Sequence, residues 1–330
     1  MLKKYYLKKY LKKLKRRNKP NGFFSFDNRT NVCYNTNAFE GGITMDNKKL
    51  VYNSLDRFKN TKYYDLLKKF YLDISFYLKE EQLQSFYNNI QSLRIEKLDT
   101  FSPNLGDYSM IDNTIHLPSN IIDPSTIFHE LLHMSSCRKN NGIYYDGFYC
   151  PLDRQYRGFS LNEGYTELTN IRIFGSEIKY DDAYETEMTI VRLVESLIGK
   201  EKLKDIYFDA NLRELVYSLI KYNNYHLTRE FIDKTDLISK RETSIVRKLK
   251  EDKTTEIIKY IVTYLIRSYL YKISINYKEG NIDQREAIIF FDNFINDAFN
   301  ILNSNLVFKK YIIENTLYDN YDYGKKLLKK

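Results

Sequence analysis

Four histidines occur in the 330 residues, and two of them flank a glutamate in Phe128-His129-Glu130-Leu131-Leu132-His133-Met134. On an α-helix, residues i and i+4 project within roughly 40° of each other, so His129 and His133 can offer both imidazoles to one metal ion. Glu130 projects about 100° from His129 and about 60° from His133, close by but off the ligand line. There it can take a proton from a metal-polarised water without itself binding the metal. Ile127, Phe128, Leu131 and Leu132 fall on the other side as an apolar back. Asp123 suits the N-cap of this helix, and Pro124 its first helical position. The competing reading is an amphipathic helix that carries two surface histidines.

A catalytic zinc site commonly has three protein ligands and leaves one position open. Downstream, Ser160-Leu161-Asn162-Glu163-Gly164-Tyr165-Thr166-Glu167 places two glutamates four residues apart, hence on one helix face. One carboxylate can ligate the metal, and the other can accept the free N–H of a ligating imidazole and fix its ring. Ser160-x-x-Glu163 also has the spacing of a capping box, in which Glu163 would reach back to the Ser160 amide.

These segments together resemble the gluzincin metallopeptidases, the thermolysin-like group, over about residues 105–175. In that family HExxH is followed on a second helix by a glutamate ligand, often preceded by asparagine and followed four residues later by an acid. The matching positions here are His129, Glu130 and His133, then Asn162, Glu163 and Glu167. The resemblance implies one catalytic zinc ion on His129, His133 and Glu163, Glu130 as catalytic base, and Glu167 as the residue that orients His129. The later acid is a glutamate where thermolysin itself has aspartate, and the family's downstream histidine has no recognisable motif.

Composition bounds the remaining classes. The formal charge is +9, but residues 1–20 hold ten Lys or Arg and no acid. Subtracting those ten charges leaves −1 on the other 310 residues, which argues against a broad nucleic-acid face. Leu7, Leu11 and Leu14 recur between lysine pairs, so residues 1–20 read as a basic amphipathic arm able to contact an anionic membrane. Cys33, Cys137 and Cys150 form no C-x-x-C pair, which speaks for a reducing compartment. Cys137 reads as a small packing residue. The most apolar run, Ile257 to Ile275, is interrupted by Lys259 and Arg267, and the N-terminus lacks an apolar signal core. A cytoplasmic location is the expectation.

Periodicity places the remaining elements. Residues 21–50 read as loop. Helical spacing suggests one helix over Leu55–Tyr71 and a second over Leu83–Ile90. Tyr108 to Leu117 reads as a hairpin turning at Asp112-Asn113, expected to receive substrate by strand addition. His116 reads as an ordinary strand residue. Residues 138–159, with Tyr144, Tyr145, Tyr149 and Tyr156, read as a loop forming a substrate wall. A helix capped by Asp181 or Asp182 should stop at Gly199, another should span 201–222, and long helices should fill 244–275 and 284–303.

The expected architecture is α+β and helix-dominated: a basic arm (1–22), a zincin-like catalytic domain with a small edge sheet (23–226), and a helical C-terminal subdomain (227–330). The expected function is zinc-dependent hydrolysis of peptide or protein substrates, with Glu130 as general base. His226 and the tyrosines of 138–159 are the candidates to stabilise the oxyanion. The alternative is a catalytically inactive, zinc-stabilised binding protein tethered by its arm. A nucleic-acid-binding arm beside an incidental motif ranks behind both.

Overall fold

A computed structural model of the chain describes residues 45–98, 106–118, 123–175, 184–242, 251–305, 308 and 313–329. The arm, residues 1–22, and Cys33 lie outside them. The helices are α1 (Met45–Leu55), α2 (Tyr64–Tyr77), α3 (Gln84–Ile90), α4 (Pro124–Ser136), α5 (Phe159–Phe174), α6 (Glu185–Ile198), α7 (Lys200–Phe208), α8 (Leu212–Ile220), α9 (Tyr225–Glu242), α10 (Glu251–Lys278), α11 (Gln284–Ser304) and α12 (Ile313–Leu328). The strands are β1 (Arg94–Lys97), β2 (Asp107–Ser109), β3 (Thr114–Leu117), β4 (Cys137–Asn140), β5 (Ile143–Asp146), β6 (Cys150–Leu152) and β7 (Gln155–Arg157). The protein is thus helix-dominated with small sheets.

Two helices form its centre. In α4, Asp123 caps the first turn by accepting from the Ser125 and Thr126 amides, and Pro124 follows at the first helical position. Every residue from Ile127 to Ser136 is buried, so α4 has no solvent face. The amphipathic surface-helix reading is therefore excluded. Helix α5 is buried continuously from Ser160 to Asn170 although six of those side chains are Asn, Glu or Thr. Such a helix is stable only where those groups find partners inside the protein. Phe128 of α4 and Phe174 of α5 meet with ring centroids 4.2 Å apart, and Phe70 of α2 packs on both at 6.0 and 5.5 Å.

One edge of this pair is covered by the three-stranded sheet, ordered β1-β3-β2. β3 is central and nearly buried, parallel to β1 and antiparallel to β2, with Asp107 opposite His116. The hairpin turn at Asp112-Asn113 is as expected, with Asn113 at φ 54°. Ile115 belongs to the paired central strand, and β1 and β2 are the outer strands of the sheet. The other side carries C-terminal helices. α9 packs on α5, and Phe231 of α9 stacks on Tyr264 of α10 at 4.4 Å. The hydrophobic core runs without interruption through both halves, and α9 spans the expected division at 226/227.

Several expected boundaries are corrected. Residues 45–50 are helical, not loop, because Leu50, Val51 and Leu55 dock on the core. The single helix expected over Leu55–Tyr71 is two, separated by a short 3-10 turn at Asp56–Phe58 and the bend after it. The helix expected over 201–222 is also two, because the chain turns at Ala210 (φ 46°) and Asn211 caps α8. The stop at Gly199 is observed, while Asp181 and Asp182 lie outside the described residues. Residues 138–159 are not an open loop. They form two hairpins, β4–β5 turning at Asn141-Gly142 and β6–β7 turning at Asp153-Arg154, with all four turn residues at positive φ. No helix among the described residues is long and apolar enough to cross a membrane.

Because Phe174 bridges α2 and α4, Phe174→Ala is expected to cost about 3–5 kcal/mol. Urea unfolding followed by circular dichroism measures this. A loss below about 1 kcal/mol would mean that α4 and α5 are not held by this aromatic contact.

Candidate metal centre

The antiparallel run of α4 against α5 brings three ligand atoms together. His129 Nε2 lies 3.1 Å from His133 Nε2 and 3.2 Å from Glu163 Oε2, and His133 Nε2 lies 3.6 Å from the same oxygen. All three side chains are buried, and together they could hold a metal ion.

The far side of each imidazole is occupied by a carboxylate. His129 Nδ1 lies 2.9 Å from Glu167 Oε2, and His133 Nδ1 lies 3.0 Å from Asp146 Oδ2. An ionised carboxylate only accepts, so each Nδ1–H donates to its acid and each Nε2 faces inward, where it offers a lone pair once the ring has given up its second proton. The acids are held in turn. Ser136 Oγ donates to Asp146 Oδ1, Asn162 Nδ2 donates to Asp146 Oδ2, and Asn170 Nδ2 lies 3.3 Å from Glu167 Oε2. Asn162 Oδ1 accepts the Phe148 amide, which pins the β5–β6 turn to α5.

The capping-box account of Glu163 is not realised. The Ser160 amide donates to Asp236 Oδ1 and the Gly158 amide to Asp236 Oδ2, both at 2.9 Å, so α9 supplies the acceptor for the start of α5. Glu163 is thereby left for the centre.

Glu130 is buried on the same helix, among His129, His133, Glu163 and Asp107. Burial pushes its carboxyl above the usual range, and the two imidazoles pull the other way. Gly106, just before β2, passes so close that a methyl built on it would meet Glu130 Oε1 at 3.5 Å and Thr126 Cγ2 at 2.6 Å. The edge strand therefore begins beside this carboxylate. For His129, burial disfavours the charged ring, but Glu163 and Glu167 outweigh it and raise the ring to about 9. His133 is raised as well: burial again opposes, and Asp146 and Glu163 prevail. Burial would lift Glu163, yet the neighbouring imidazoles hold it below the ordinary carboxylate range.

The sequence did not mark two of these neighbours. Asp146 reaches His133 from β5, a strand whose Asn141-Gly142 turn was the available signal. Tyr184 lies with its ring on His129, centroids 5.1 Å apart and planes 14° from parallel. Glu163, then burial, then Glu130 push its phenol well above the usual range. The residues proposed earlier from sequence are otherwise engaged. His226 is exposed in the first turn of α9, Tyr144 donates to the Ile111 carbonyl, and Tyr156 donates to the Tyr144 carbonyl. Tyr149 packs against Tyr156 and Phe159. His116 pairs with Asp107 at 3.0 Å, and Cys137 and Cys150 are buried free thiols outside the three-ligand group.

A metal ion must displace protons from rings raised this far, so affinity should climb as pH rises from about 6.5 toward about 9. Calorimetric zinc titrations near pH 7.5, in buffers of different ionisation enthalpy, should show release of at least one proton per ion bound. No release would mean that the rings are already neutral. Asp146→Asn should weaken metal binding by about 10–100-fold, read by chelator competition. Unchanged affinity would remove Asp146 from the account.

No protein-family model, curated protein or solved structure matches the chain in comparison.

Proposed function

We propose that the protein is a zinc-dependent peptidase of zincin type, and that the resemblance to gluzincins reflects a shared site chemistry. The observation that carries this reading is the convergence of two Nε2 atoms and one carboxylate oxygen at 3.1, 3.2 and 3.6 Å from one another. Ligands about 2.0–2.1 Å from a tetrahedral zinc stand roughly 3.3 Å apart. Two imidazoles and a carboxylate are a donor set that suits this ion, with the fourth position left for chemistry.

Charge supports the same assignment. Glu130, Glu163, Glu167 and Asp146 are all buried around two imidazoles, and among the described residues no Lys or Arg bonds to any of the four. Buried carboxylates without a compensating cation are costly, and a divalent ion offsets them.

When bound, zinc would supply a Lewis acid and an acidified water. His129, His133 and Glu163 hold that position, while Glu167 and Asp146 fix the rings. Glu130 accepts the proton of the attacking water and delivers it to the leaving amine. Its raised affinity for protons, caused first by burial, suits a group that must both take and return one. β2 begins beside Glu130, so an extended peptide paired to its free edge would pass the base. The alternative, a zinc-stabilised binding protein, leaves the buried Glu130 carboxylate without a chemical task.

Three substitutions separate the roles. Glu130→Gln should retain zinc and fold while hydrolysis of a mixed-sequence peptide library falls by about 10²–10⁴-fold. Glu163→Ala should lose zinc and activity together. Glu167→Ala should weaken zinc binding by about 10–100-fold without abolishing it. Zinc stoichiometry, circular dichroism and peptide turnover on the same preparations report all three. A parent protein that holds zinc but cleaves no library peptide would favour the binding-protein alternative.

A further inference from the structure

Glu163 lies near the start of α5, where backbone amides have no partner inside the helix and the chain frays unless they are capped. Ser160 and Glu163 are three residues apart, about 4.5 Å along the axis, so a shift of the first turn moves the Glu163 carboxylate with it. A zinc ligand atom, however, must lie within about 0.2 Å of its place. Building on the zinc site proposed above, we infer that Asp236 of α9 is a positioning residue for Glu163. Zinc binding and the junction of α9 with α5 are thereby coupled, each stabilising the other.

A polar stripe on α9 carries this. Asp233, Asp236 and Ser239 recur every three positions, so successive members lie about 60° apart on one side of the helix. Asp233 Oδ1 accepts from Arg157 Nε at 2.7 Å, just ahead of α5. Asp236, itself buried, accepts the Gly158 and Ser160 amides, one with each oxygen. Ser239 Oγ donates to Glu187 Oε1 on α6. The Glu187 backbone in turn passes so close to Gly164 that a Cβ there would come within 2.5 Å of its carbonyl carbon. The stripe therefore holds the chain on both sides of Glu163, at 157–160 directly and at Gly164 through α6.

The helix cannot supply this cap itself. Its N-cap residue is Gly158, which has no side chain to accept an amide. Gly158 stands at φ 83°, and a Cβ on it would collide with the Phe148 carbonyl oxygen, so a capping side chain cannot be placed there without strain. The acceptor has to come from another element, and Asp236 is the one that bonds the α5 backbone.

Two measurements on the full chain test the coupling. Asp236→Ala removes both acceptor oxygens and Asp236→Asn only one. Zinc affinity by chelator competition should fall by about 10-fold or more in the first and by less in the second. Leu302→Ala, at a buried position of α11, lowers stability outside the junction and should leave zinc affinity within about twofold of the parent. On the parent, hydrogen exchange read by mass spectrometry gives the reciprocal side. Saturating zinc should slow the amides of residues 157–164 at least about fivefold more than those of α11. Zinc affinity in Asp236→Ala equal to the parent's overturns the inference, as does a loss that Leu302→Ala reproduces, since the cap would then act on stability alone. If Asp236→Ala does not fold, Asp236→Asn and the exchange on the parent decide. Zinc protection no greater at 157–164 than in α11 overturns the coupling. A parent that holds no zinc removes the zinc site itself and this role with it. A parent that holds zinc just as well without the Asp236 carboxylate removes the positioning role alone.

Discussion

Four buried carboxylates packed around two buried imidazoles set the constraint on which the rest of this structure depends. Charge removed from water is tolerated only where partners compensate it. Here each partner lies on a different element: Glu130 on α4, Glu163 and Glu167 on α5, and Asp146 on β5. Without an ion, protons on His129 and His133 carry the compensation, which is why both rings hold them above their usual range. A divalent cation at the inward-facing nitrogens would take over that task and free the rings of protons. The same arrangement could therefore hold a metal ion, in competition with those protons at neutral pH.

The fold is built to bring those elements together. Helices α4 and α5 are joined by an aromatic contact at one end and by histidine–carboxylate bonds along their length. The β4–β5 hairpin delivers Asp146, and Asn162 ties that hairpin back to α5 beside Glu163. From the C-terminal half, Asp236 accepts the first amides of α5, so the start of the helix that carries Glu163 depends on a residue more than seventy positions downstream. The C-terminal helices thus help to form the centre and do not merely follow it.

Much of this was legible in the sequence. The His129–His133 spacing, the Asp123-Pro124 start and the Glu163–Glu167 pair are local signals, fixed by helix geometry within one or two turns. The Asp112-Asn113 hairpin is local as well. What escaped was set by tertiary contact. Asp146 sits in a tyrosine-rich stretch without helical period, and Tyr184 is one of 31 tyrosines. The Asn141-Gly142 turn marks the strand that carries Asp146 but not the residue itself, and nothing in the immediate sequence distinguishes Tyr184. The Ser160–Glu163 spacing fits a capping box, and only the distant Asp236 decides that it does not form one. In residues 138–159 the β6–β7 hairpin carries little signature, because positive φ at Asp153 and Arg154 makes a tight turn without glycine, whereas Asn141-Gly142 was a readable turn signal for β4–β5.

The central claim is that one zinc ion binds to His129, His133 and Glu163, and zinc K-edge X-ray absorption on the purified full chain tests it most directly. The account predicts one zinc per chain, a shell of nitrogen and oxygen at about 2.0–2.1 Å with imidazole scattering behind it, and no sulfur. Loss of the bound ion in Glu163→Ala should accompany that spectrum. A sulfur shell at about 2.3 Å would place the metal on cysteine instead, and a parent protein that retains no zinc after reconstitution would contradict the account outright.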